Sequence, residues 1–294
     1  MTILVGDVGG THTRLALFDG ALGEPDVYLT DAAVPLETLI DAFLVKHAAS
    51  VDRAAFGVAA AVGSGRSVES TNLPWPVDAA SVARASRVDW AVLVNDVEAC
   101  AHGVALLEPT ELATLNAGLP HATGTRVVIS VGTGLGQAGL YWDGERHHVV
   151  AGEGGYTDFA PRTALEEGLR TWLAEQYGHV SYERVCSGRG LVDIHRYLSG
   201  EAAKPKDVTE RALELMVSVL GAFAGNVALT FLATGGVYLA GGIPGRILPR
   251  LETGRFLDAF VDKGLLGPVL AEIPVHVITS DRAALLGAAR LASE

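Results

Sequence analysis

The feature that most constrains the fold is a glycine-rich turn between two apolar strands, which occurs near the start of the chain and again near its middle. The first copy, Gly6–Arg14, lies between the apolar runs Ile3–Val5 and Leu15–Phe18, which we predict to pair as strands. The Gly9-Gly10 pair is typical of a hairpin turn in which positive φ costs little. Because glycines carry no side chains, backbone N–H groups can close here on an oxyanion such as a phosphate.

Three polar side chains surround this first turn. Asp7 stands at the end of the first strand, where it is placed to hold a metal ion or the water bound to one. Thr11 adds a hydroxyl group, and Arg14 adds a contact for an anion. An ordinary glycine hairpin with a solvated Asp7 is the alternative interpretation of the same stretch.

The second copy favours the phosphate interpretation. Here the turn Gly132–Gly136 separates the predicted strands Val127–Val131 and Gln137–Trp142. A single Gly-Thr-Gly turn is weak evidence, whereas two strand–turn–strand units, one opening each half of the chain, indicate an internally duplicated fold. Such a fold is expected to hold phosphate between its halves.

Composition excludes several classes of function. The 294-residue chain has a net charge of −12, which argues against nucleic acid as a partner. No Gly-Lys-Ser/Thr tripeptide occurs, so a Walker-type phosphate loop is excluded. Cys100 and Cys186 have no Cys or His neighbour at metal-ligand spacing, which argues against structural zinc and a disulfide framework. Met1 leads into the first strand without a basic segment, so we expect no signal peptide and a cytoplasmic protein.

One apolar stretch resembles a membrane span. Residues 215–245 contain no charged side chain and are long enough to cross a bilayer. The stretch divides into a predicted helix, Val208–Leu232, and a predicted strand, Val237–Ala240. A helix buried between layers and a buried parallel strand give the same hydropathy, so we predict no membrane partner.

The order of the predicted elements indicates an α/β fold. A third strand at Val27–Thr30 completes a meander, and strands then alternate with helices. This order predicts mixed sheets flanked by helices, as in the ribonuclease-H-like ATPase domains of actin, sugar kinases and heat-shock chaperones. The polar stretch Glu108–Thr125 is the predicted crossing between two domains, and the last helix, Ala283–Leu291, is predicted to return to the first domain. The domains would then comprise residues 1–107 with 281–294, and residues 108–280.

Two further segments place polar side chains next to predicted strands. Asn95-Asp96 follows the strand Trp90–Val94 and precedes a helix, so Asp96 is either a helix cap or a catalytic carboxylate, and the roles are compatible. In the Pro-containing loop before that strand, Trp75 either plugs the edge of the core or belongs to a wall that presents Asn72 to a polar ligand.

Two glycine-rich segments of the second half suggest ligand contacts. Glu153 and Tyr156 lie in a loop with three glycines, which packing explains poorly and a small polar ligand explains well. A flexible loop with a solvated Glu153 is the alternative. Gly241-Gly242 follows a buried strand and precedes a predicted helix, where the ribose or phosphates of a nucleotide can approach backbone closely. Glu183, between two predicted helices, is unremarkable by itself.

Taken together, the motifs carry a family resemblance. In order and spacing they resemble the motif series of bacterial glucokinases from end to end: Asp7–Arg14, Thr71–Trp75, Asn95-Asp96, Gly132–Gly136, Gly152–Gly155, Asp158–Pro161, Gly178–Val185, Ser187-Gly188 and Gly235–Gly242. The resemblance implies a two-domain hexokinase/actin-type fold with a sugar cleft between the domains. It also implies transfer of the ATP γ-phosphoryl group to the 6-hydroxyl of glucose with Mg²⁺, by a cytoplasmic homodimer.

The resemblance also implies roles for individual residues. Asp96 matches the catalytic carboxylate that accepts the hydroxyl proton. The sugar ligands would be Asn72, Asn95, Asp96, Glu153, Tyr156 and Glu183. Asp7, which would also hold the metal, matches the first phosphate motif together with Gly9, Gly10 and Thr11. The second phosphate motif would be Gly132, Thr133 and Gly134, and the adenosine region Gly241 and Gly242.

One departure from the family pattern bears on substrate choice. The family motif normally reads Gly-Glu-Gly-Gly-His, and that His touches the sugar near its anomeric end, whereas this chain has Tyr156. A phenol is longer and is never cationic near neutral pH. A kinase for another hexose or an amino sugar is therefore an alternative, and a catalytically silent sugar-binding regulator or a chaperone-type ATPase is another. Repressor-type sugar kinases carry a zinc-binding cysteine cluster that this sequence lacks.

Overall fold

The computed structural model describes residues 1–60, 67–68, 73–119 and 123–293. They form two compact units. Unit 1 comprises Met1–Pro109 and Ser280–Glu294, and unit 2 comprises Thr110–Thr279. The domain limits expected from the sequence, 1–107 with 281–294 and 108–280, remain a prediction about independently folding domains.

The elements are numbered here in chain order. The strands in the first part of unit 1 are β1 (Ile3–Val8), β2 (His12–Phe18), β3 (Asp26–Leu29), β4 (Arg53–Val58), β5 (Ser67–Val68), β6 (Val77–Asp78) and β7 (Ala91–Asn95). The helices in the same part are α1 (Leu36–Lys46), α2 (Ala79–Ser86) and α3 (Asp96–Gly103).

Unit 2 follows, and the last helix belongs again to unit 1. The strands of unit 2 are β8 (Leu112–Asn116), β9 (Arg126–Val131), β10 (Leu135–Trp142), β11 (His147–Gly152), β12 (Gly236–Ala240) and β13 (Val275–Ile278). Its helices are α4 (Ala164–Tyr177), α5 (Gly188–Ser199), α6 (Glu210–Phe231), α7 (Leu248–Leu251), α8 (Arg255–Val261) and α9 (Gly267–Ala271), and the final helix of the chain is α10 (Ala283–Ser293).

Unit 1 is a mixed five-stranded sheet between two helical layers. Its strand order is β3-β2-β1-β4-β7, with an antiparallel meander on one side and β1, β4 and β7 parallel. Side chains of β1 alternate between the faces: Leu4 and Val8 join the core with α1 and α2, whereas Ile3 and Val5 pack against α10. The return of the last helix to the first sheet, predicted from the sequence, is confirmed.

Unit 2 is a mixed six-stranded sheet in the order β11-β10-β9-β12-β13-β8. The meander β9-β10-β11 repeats the arrangement of β1-β2-β3, and β12 and β13 run parallel to β9. Apolar side chains of β9, β12 and β13 meet helices α4 to α9 in one large core. These two sheets confirm the predicted α/β class.

Helix α6 is the apolar segment that resembled a membrane span. It is the one helix of the described part of the chain that is long and apolar enough to cross a membrane by length and composition. Most of its residues are buried in the core of unit 2, as expected for a helix enclosed between layers. The prediction of a buried helix followed by a buried strand is confirmed.

Small residues let α3 and α10 pack backbone against backbone. A Cβ added at Gly103 on α3 would collide with the Ala283 carbonyl, and one at Gly287 on α10 would collide with the Ala99 carbonyl. Beneath them, a Cβ at Gly57 of β4 would lie 2.8 Å from Cβ of Ala99. The position of α3, which begins at Asp96, is therefore fixed by glycines on two neighbouring elements.

The sequence prediction missed several elements of unit 2. The edge strands β8 and β11 were taken for loop, and the short helices α7, α8 and α9 were not predicted. The helix predicted directly after Gly241-Gly242 was also wrong, because a series of turns follows and α7 begins only at Leu248.

Candidate functional site

The first glycine turn connects β1 to β2 and is held by Thr30. The Gly9 N–H donates to the His12 carbonyl at 3.0 Å, and Thr30 binds both sides of the turn: its Oγ1 donates to the Gly9 carbonyl at 2.7 Å and its N–H to the Thr11 carbonyl at 3.0 Å. Neither Gly9 nor Gly10 uses the positive φ that glycine permits. A Cβ at Gly9 would lie 3.2 Å from the His12 carbonyl oxygen, a tight contact that the backbone would have to relieve by a small shift.

Asp7 is the first of three linked charges in unit 1. Arg14 Nη1 lies 3.4 Å from Asp7 Oδ2, and Arg14 Nη2 lies 2.7 Å from Asp281 Oδ2. Burial raises the pKa of Asp7 to about 6; the Arg14 charge lowers it, and the Asp281 charge raises it further. Asp7 is thus a half-buried carboxylate, and among the described residues a long, shared ion pair with Arg14 compensates its charge.

Asp7 is better suited to a magnesium ion shared with a substrate's phosphates than to a metal site built from protein side chains alone. In the described residues no group of three or more His, Cys, Asp or Glu side chains could hold a metal ion. Mg²⁺ in kinases typically uses one or two carboxylates, several waters and the phosphates of the substrate. A single under-compensated carboxylate beside an open glycine turn has the donor chemistry for that kind of site.

Asn95 and Asp96 share the start of α3. Asn95 Oδ1 accepts the N–H groups of Val97 at 2.9 Å and Glu98 at 3.3 Å, and Asn95 Nδ2 donates to the Ala60 carbonyl at 3.0 Å. Asp96 Oδ1 accepts the Val97 N–H at 2.9 Å. The cap is therefore Asn95, and Asp96 is the first residue of the helix, half-buried where the helix dipole stabilises an anion.

Asp7 and Asp96 stand at the same edge of the sheet. Both belong to the carboxyl ends of parallel strands that flank β4, and Asp7 pairs in register with Gly57, whose added Cβ would lie 3.4 Å from Cα of Asp96. Burial raises the pKa of the Cys100 thiol strongly, and the charges of Asp7 and Asp96 raise it further. Because the charges of both carboxylates act on the Cys100 thiol, Asp7, the metal candidate, and Asp96, the base candidate, both lie near Cys100.

The second glycine turn has a different geometry. The Gly132 N–H donates to the Gly134 carbonyl at 2.9 Å, and the Gly132 carbonyl accepts the N–H of Gly188, at the start of α5, at 2.9 Å. A Cβ at Gly132 would meet nothing within 4 Å, whereas one at Gly134 would lie 2.5 Å from Glu183 Oε2. Gly132 therefore borders open space that a ligand can occupy, and Gly134 makes room for a carboxylate.

The Gly241-Gly242 pair lies beside this turn. Gly241 has φ +88°, and a Cβ there would lie 2.5 Å from the Val131 carbonyl oxygen, so only glycine fits between β12 and the end of β9. A Cβ at Gly242 would meet nothing within 4 Å. The structure thus gathers Gly132, Gly242 and the start of α5 at the carboxyl edge of two parallel strands, where α/β sheets bind ligands.

Three polar side chains form a cluster in unit 2. Glu183 Oε2 accepts the Leu135 N–H at 2.9 Å. The Glu183 charge and partial burial raise the pKa of Tyr156, which lies on a short 3₁₀ turn, Gly154–Tyr156, and is 52% exposed. Partial burial and the Glu183 charge raise the pKa of Glu153. Two carboxylates and a phenol at this spacing are hydrogen-bond partners suited to a sugar's hydroxyl groups.

The predicted site residues thus fall into two sets. Unit 1 holds Asp7, Gly9, Gly10, Thr11, Asn95 and Asp96, and unit 2 holds Gly132, Thr133, Gly134, Glu153, Tyr156, Glu183, Gly241 and Gly242. Asn72 lies outside the described residues. The sequence prediction missed Thr30 and Asp281. Thr30 binds Gly9, 21 residues away, and Asp281 pairs with Arg14, 267 residues away, so no local sequence pattern marks either residue.

Comparison with known proteins agrees with the motif series. The sequence profile named Glucokinase matches residues 4–294. A glucokinase of Nostoc sp. is 34% identical, with 99% of this chain and 98% of the relative covered.

Two solved structures share the fold. A glucokinase from Balamuthia mandrillaris in complex with glucose superposes with a TM-score of 0.84 at 20% identity, covering 100% of this chain and 94% of that one. A ROK-family glucokinase from Streptomyces griseus in complex with glucose and AMPPNP gives a TM-score of 0.70 at 19% identity, covering 100% and 99%.

Proposed function

Because the chain belongs to the glucokinase family, we propose that it is the kinase that transfers the γ-phosphoryl group of ATP to the 6-hydroxyl of glucose. The observation that carries the proposal is Asp96, a carboxylate on the first turn of α3 at the same sheet edge as Asp7. Phosphoryl transfer requires chiefly positioning and neutralisation of charge, with a carboxylate to orient the nucleophile.

In this proposal each set of residues has one task. The 6-hydroxyl oxygen forms a bond to the γ-phosphorus, the bond from that phosphorus to the bridging oxygen of ADP breaks, and Asp96 takes the hydroxyl proton. Asp7 would hold Mg²⁺, which when bound with ATP neutralises phosphate charge. The N–H groups around Gly9–Thr11 and Gly132–Gly134 would orient the phosphates, and Gly241-Gly242 would adjoin the adenosine.

The protein would select its sugar through hydrogen-bonding groups that stay unpaired when a sugar analogue lacks the matching hydroxyl group. Glu153, Glu183 and Asn95 would bind its hydroxyl groups, with Asn72 as a further ligand. Asn95 keeps one amide hydrogen beyond its bond to the Ala60 carbonyl, so capping α3 and donating to a sugar are compatible. A buried polar group left without its partner costs about 1–3 kcal/mol, which gives discrimination of about 5- to 150-fold.

Tyr156 supports a second candidate, a kinase for another hexose or an amino sugar. Its phenol lies near the Glu183 carboxylate, whose charge raises the pKa of Tyr156, so the phenol and a sugar hydroxyl would compete for the same acceptor. A longer, neutral side chain at this position changes the space and the charge available to the ligand. A sugar whose substituents match a phenol would then be preferred over glucose.

The test is ADP release by the purified protein with Mg·ATP across glucose, mannose, fructose, glucosamine and N-acetylglucosamine. We expect turnover on glucose, and in Asp96→Asn we expect turnover to fall about 10²–10⁴-fold. Asp19→Asn makes the same change at an exposed carboxylate of unit 1 and should keep the wild-type turnover. Best turnover on another sugar, shifted towards glucose by Tyr156→His, would establish the second candidate. Sugar-independent ATP turnover would indicate a chaperone-type ATPase, and sugar binding without turnover would indicate a regulator.

The proposal extends to the setting of the enzyme. We propose a cytoplasmic homodimer, on the strength of the family resemblance. Sedimentation equilibrium of the purified chain checks the oligomeric state, and a monomer at micromolar concentration would contradict it.

A further inference from the structure

Glu183 has contacts that a sugar ligand alone does not require. Its Oε2 accepts the backbone N–H of Leu135, which lies in the second glycine turn and begins β10. The glycine at 134 is explained by this contact, because any Cβ there would lie 2.5 Å from the same oxygen. A real Cβ does not come that close to a non-bonded oxygen. Gly134 thus admits the carboxylate to the turn.

The backbone joins the same segments a second time. The Glu183 N–H donates to the Gly155 carbonyl at 2.8 Å, and a Cβ at Gly155 would collide with the Leu135 carbonyl oxygen. The loop that carries Glu153 and Tyr156 is therefore packed directly on the strand that leaves the turn. Gly155 and Glu183 thus both contact the turn Gly132–Gly136.

The free side of the carboxylate faces the other sugar candidates. Tyr156 and Glu153 lie near Glu183, whose charge raises the pKa of both side chains. One carboxylate thus joins polar side chains on one side to a backbone N–H of the phosphate turn on the other. Such a group has few rotamers compatible with both sets of contacts, so fixing one set fixes the other.

From this geometry we propose that Glu183 is a positioning residue for the second phosphate turn, so that a bound sugar orders Gly132–Gly136 before the nucleotide arrives. The inference rests on the proposed function, because it needs a sugar at Glu183. It predicts that sugar and nucleotide bind cooperatively, and linkage requires the effect to be equal in both directions. The contacts that carry it all lie within unit 2.

The first test is hydrogen exchange of the full chain by mass spectrometry, with glucose as the only ligand. We expect glucose to slow exchange several-fold in peptides covering 132–136, which the sugar itself is not proposed to touch. Gly134→Ala expels the carboxylate and should abolish this slowing. Gly152→Ala is the matched control, because a Cβ there meets its nearest atom, Gln137 Nε2, at an ordinary 3.6 Å.

The second test measures the coupling itself. The dissociation constant for Mg·AMPPNP, followed by calorimetry with and without saturating glucose, should fall by about 5-fold or more in the wild type. In Gly134→Ala the ratio should approach one whatever the affinity of this variant for nucleotide alone, because the ratio compares the same variant with and without glucose. Glu183→Ala removes the carboxylate without overfilling the turn. Because Glu183 is also a proposed sugar ligand, this variant is measured at a glucose concentration that saturates it, and it should show the same loss of coupling if Gly134→Ala does not fold.

The outcomes separate this inference from the proposed function. Turnover on glucose with unchanged coupling and unchanged exchange protection in both variants would overturn the inference and leave the function intact. Absence of any sugar binding by the wild type would overturn both. Loss of coupling in both variants, with coupling retained in Gly152→Ala, would establish it.

Discussion

At the scale of single residues, the structure separates roles that the sequence left joined. Asp96 was expected to be either a cap or a catalytic carboxylate, and the structure gives the cap to Asn95, which binds two N–H groups of α3, while Asp96 begins the helix. Gly132 and Gly134 also differ, since one borders open space and the other a carboxylate. The second distinction was not predictable, because Glu183 comes from a distant segment of the chain.

Asp7 provides a prediction about stability and pH. Its pKa is raised from 3.8 to about 6, so the folded state holds this proton more tightly than the unfolded chain does. The carboxylate therefore costs stability increasingly as pH rises from about 4 to above 6. Without Mg²⁺, Asp7→Asn should stabilise unit 1 at pH 7.5 by about 1–3 kcal/mol and should gain little at pH 4.

Urea unfolding of both proteins in a chelator, at a series of pH values, measures this difference. Asp19→Asn serves as the control at an exposed position and should show no such trend. A free-energy difference for Asp7→Asn that stays flat from pH 4 to pH 7.5 would contradict the prediction. The stabilised variant should also lose sugar kinase activity, because the group that destabilises the apo-protein is the proposed metal ligand.

At the scale of elements, the sequence predicted what strong local patterns specify. The strands around both glycine turns, the long helix α6 and the returning helix α10 all followed from apolar runs and helical periodicity. Strands β8 and β11 lie at sheet edges and are largely half-buried or exposed, so they show no clean alternation. Helices α7 to α9 span four, seven and five residues, too few to show a period.

The contact between α3 and α10 gives a prediction at this scale. Gly287→Ala places a methyl group against the Ala99 carbonyl, and because backbone cannot yield as a side-chain tip does, we expect a loss of about 2–3 kcal/mol. Since α3 begins at Asp96, kcat should fall more than KM for the sugar rises. Thermal unfolding and steady-state kinetics measure the two effects.

A second helical glycine supplies the matched control. A Cβ at Gly168 of α4 would meet the hydroxyl end of the Tyr197 side chain, and to make room the ring must swing about χ1, which costs less than moving backbone. Gly168→Ala should therefore cost less than Gly287→Ala, because helix propensity favours Ala by about 1 kcal/mol and offsets part of the shift. Equal losses in the two variants would show that the close approach of α3 and α10 is not the cause.

At the scale of the whole molecule, each unit has its own sheet and its own buried core. Domains with separate cores commonly unfold as separate cooperative blocks. We expect calorimetry of the ligand-free protein to give a van't Hoff enthalpy smaller than the calorimetric one. Gly287→Ala should lower only the unit 1 transition, and Gly221→Ala, whose Cβ would strike the Phe256 carbonyl on α8, only the unit 2 transition. One transition lowered equally by both variants would contradict this.

The position of helix α10 in the chain also affects how the protein folds during translation. It covers the face of β1 that carries Ile3 and Val5, yet it is translated only after all of unit 2. At a translation rate of about 5–20 residues per second, α10 is synthesised on the order of ten seconds or more after β1, the strand that it covers. Unit 2 can complete its fold in that interval, while the first sheet stays open to chaperones. The first unit to be translated is thus the last to be finished.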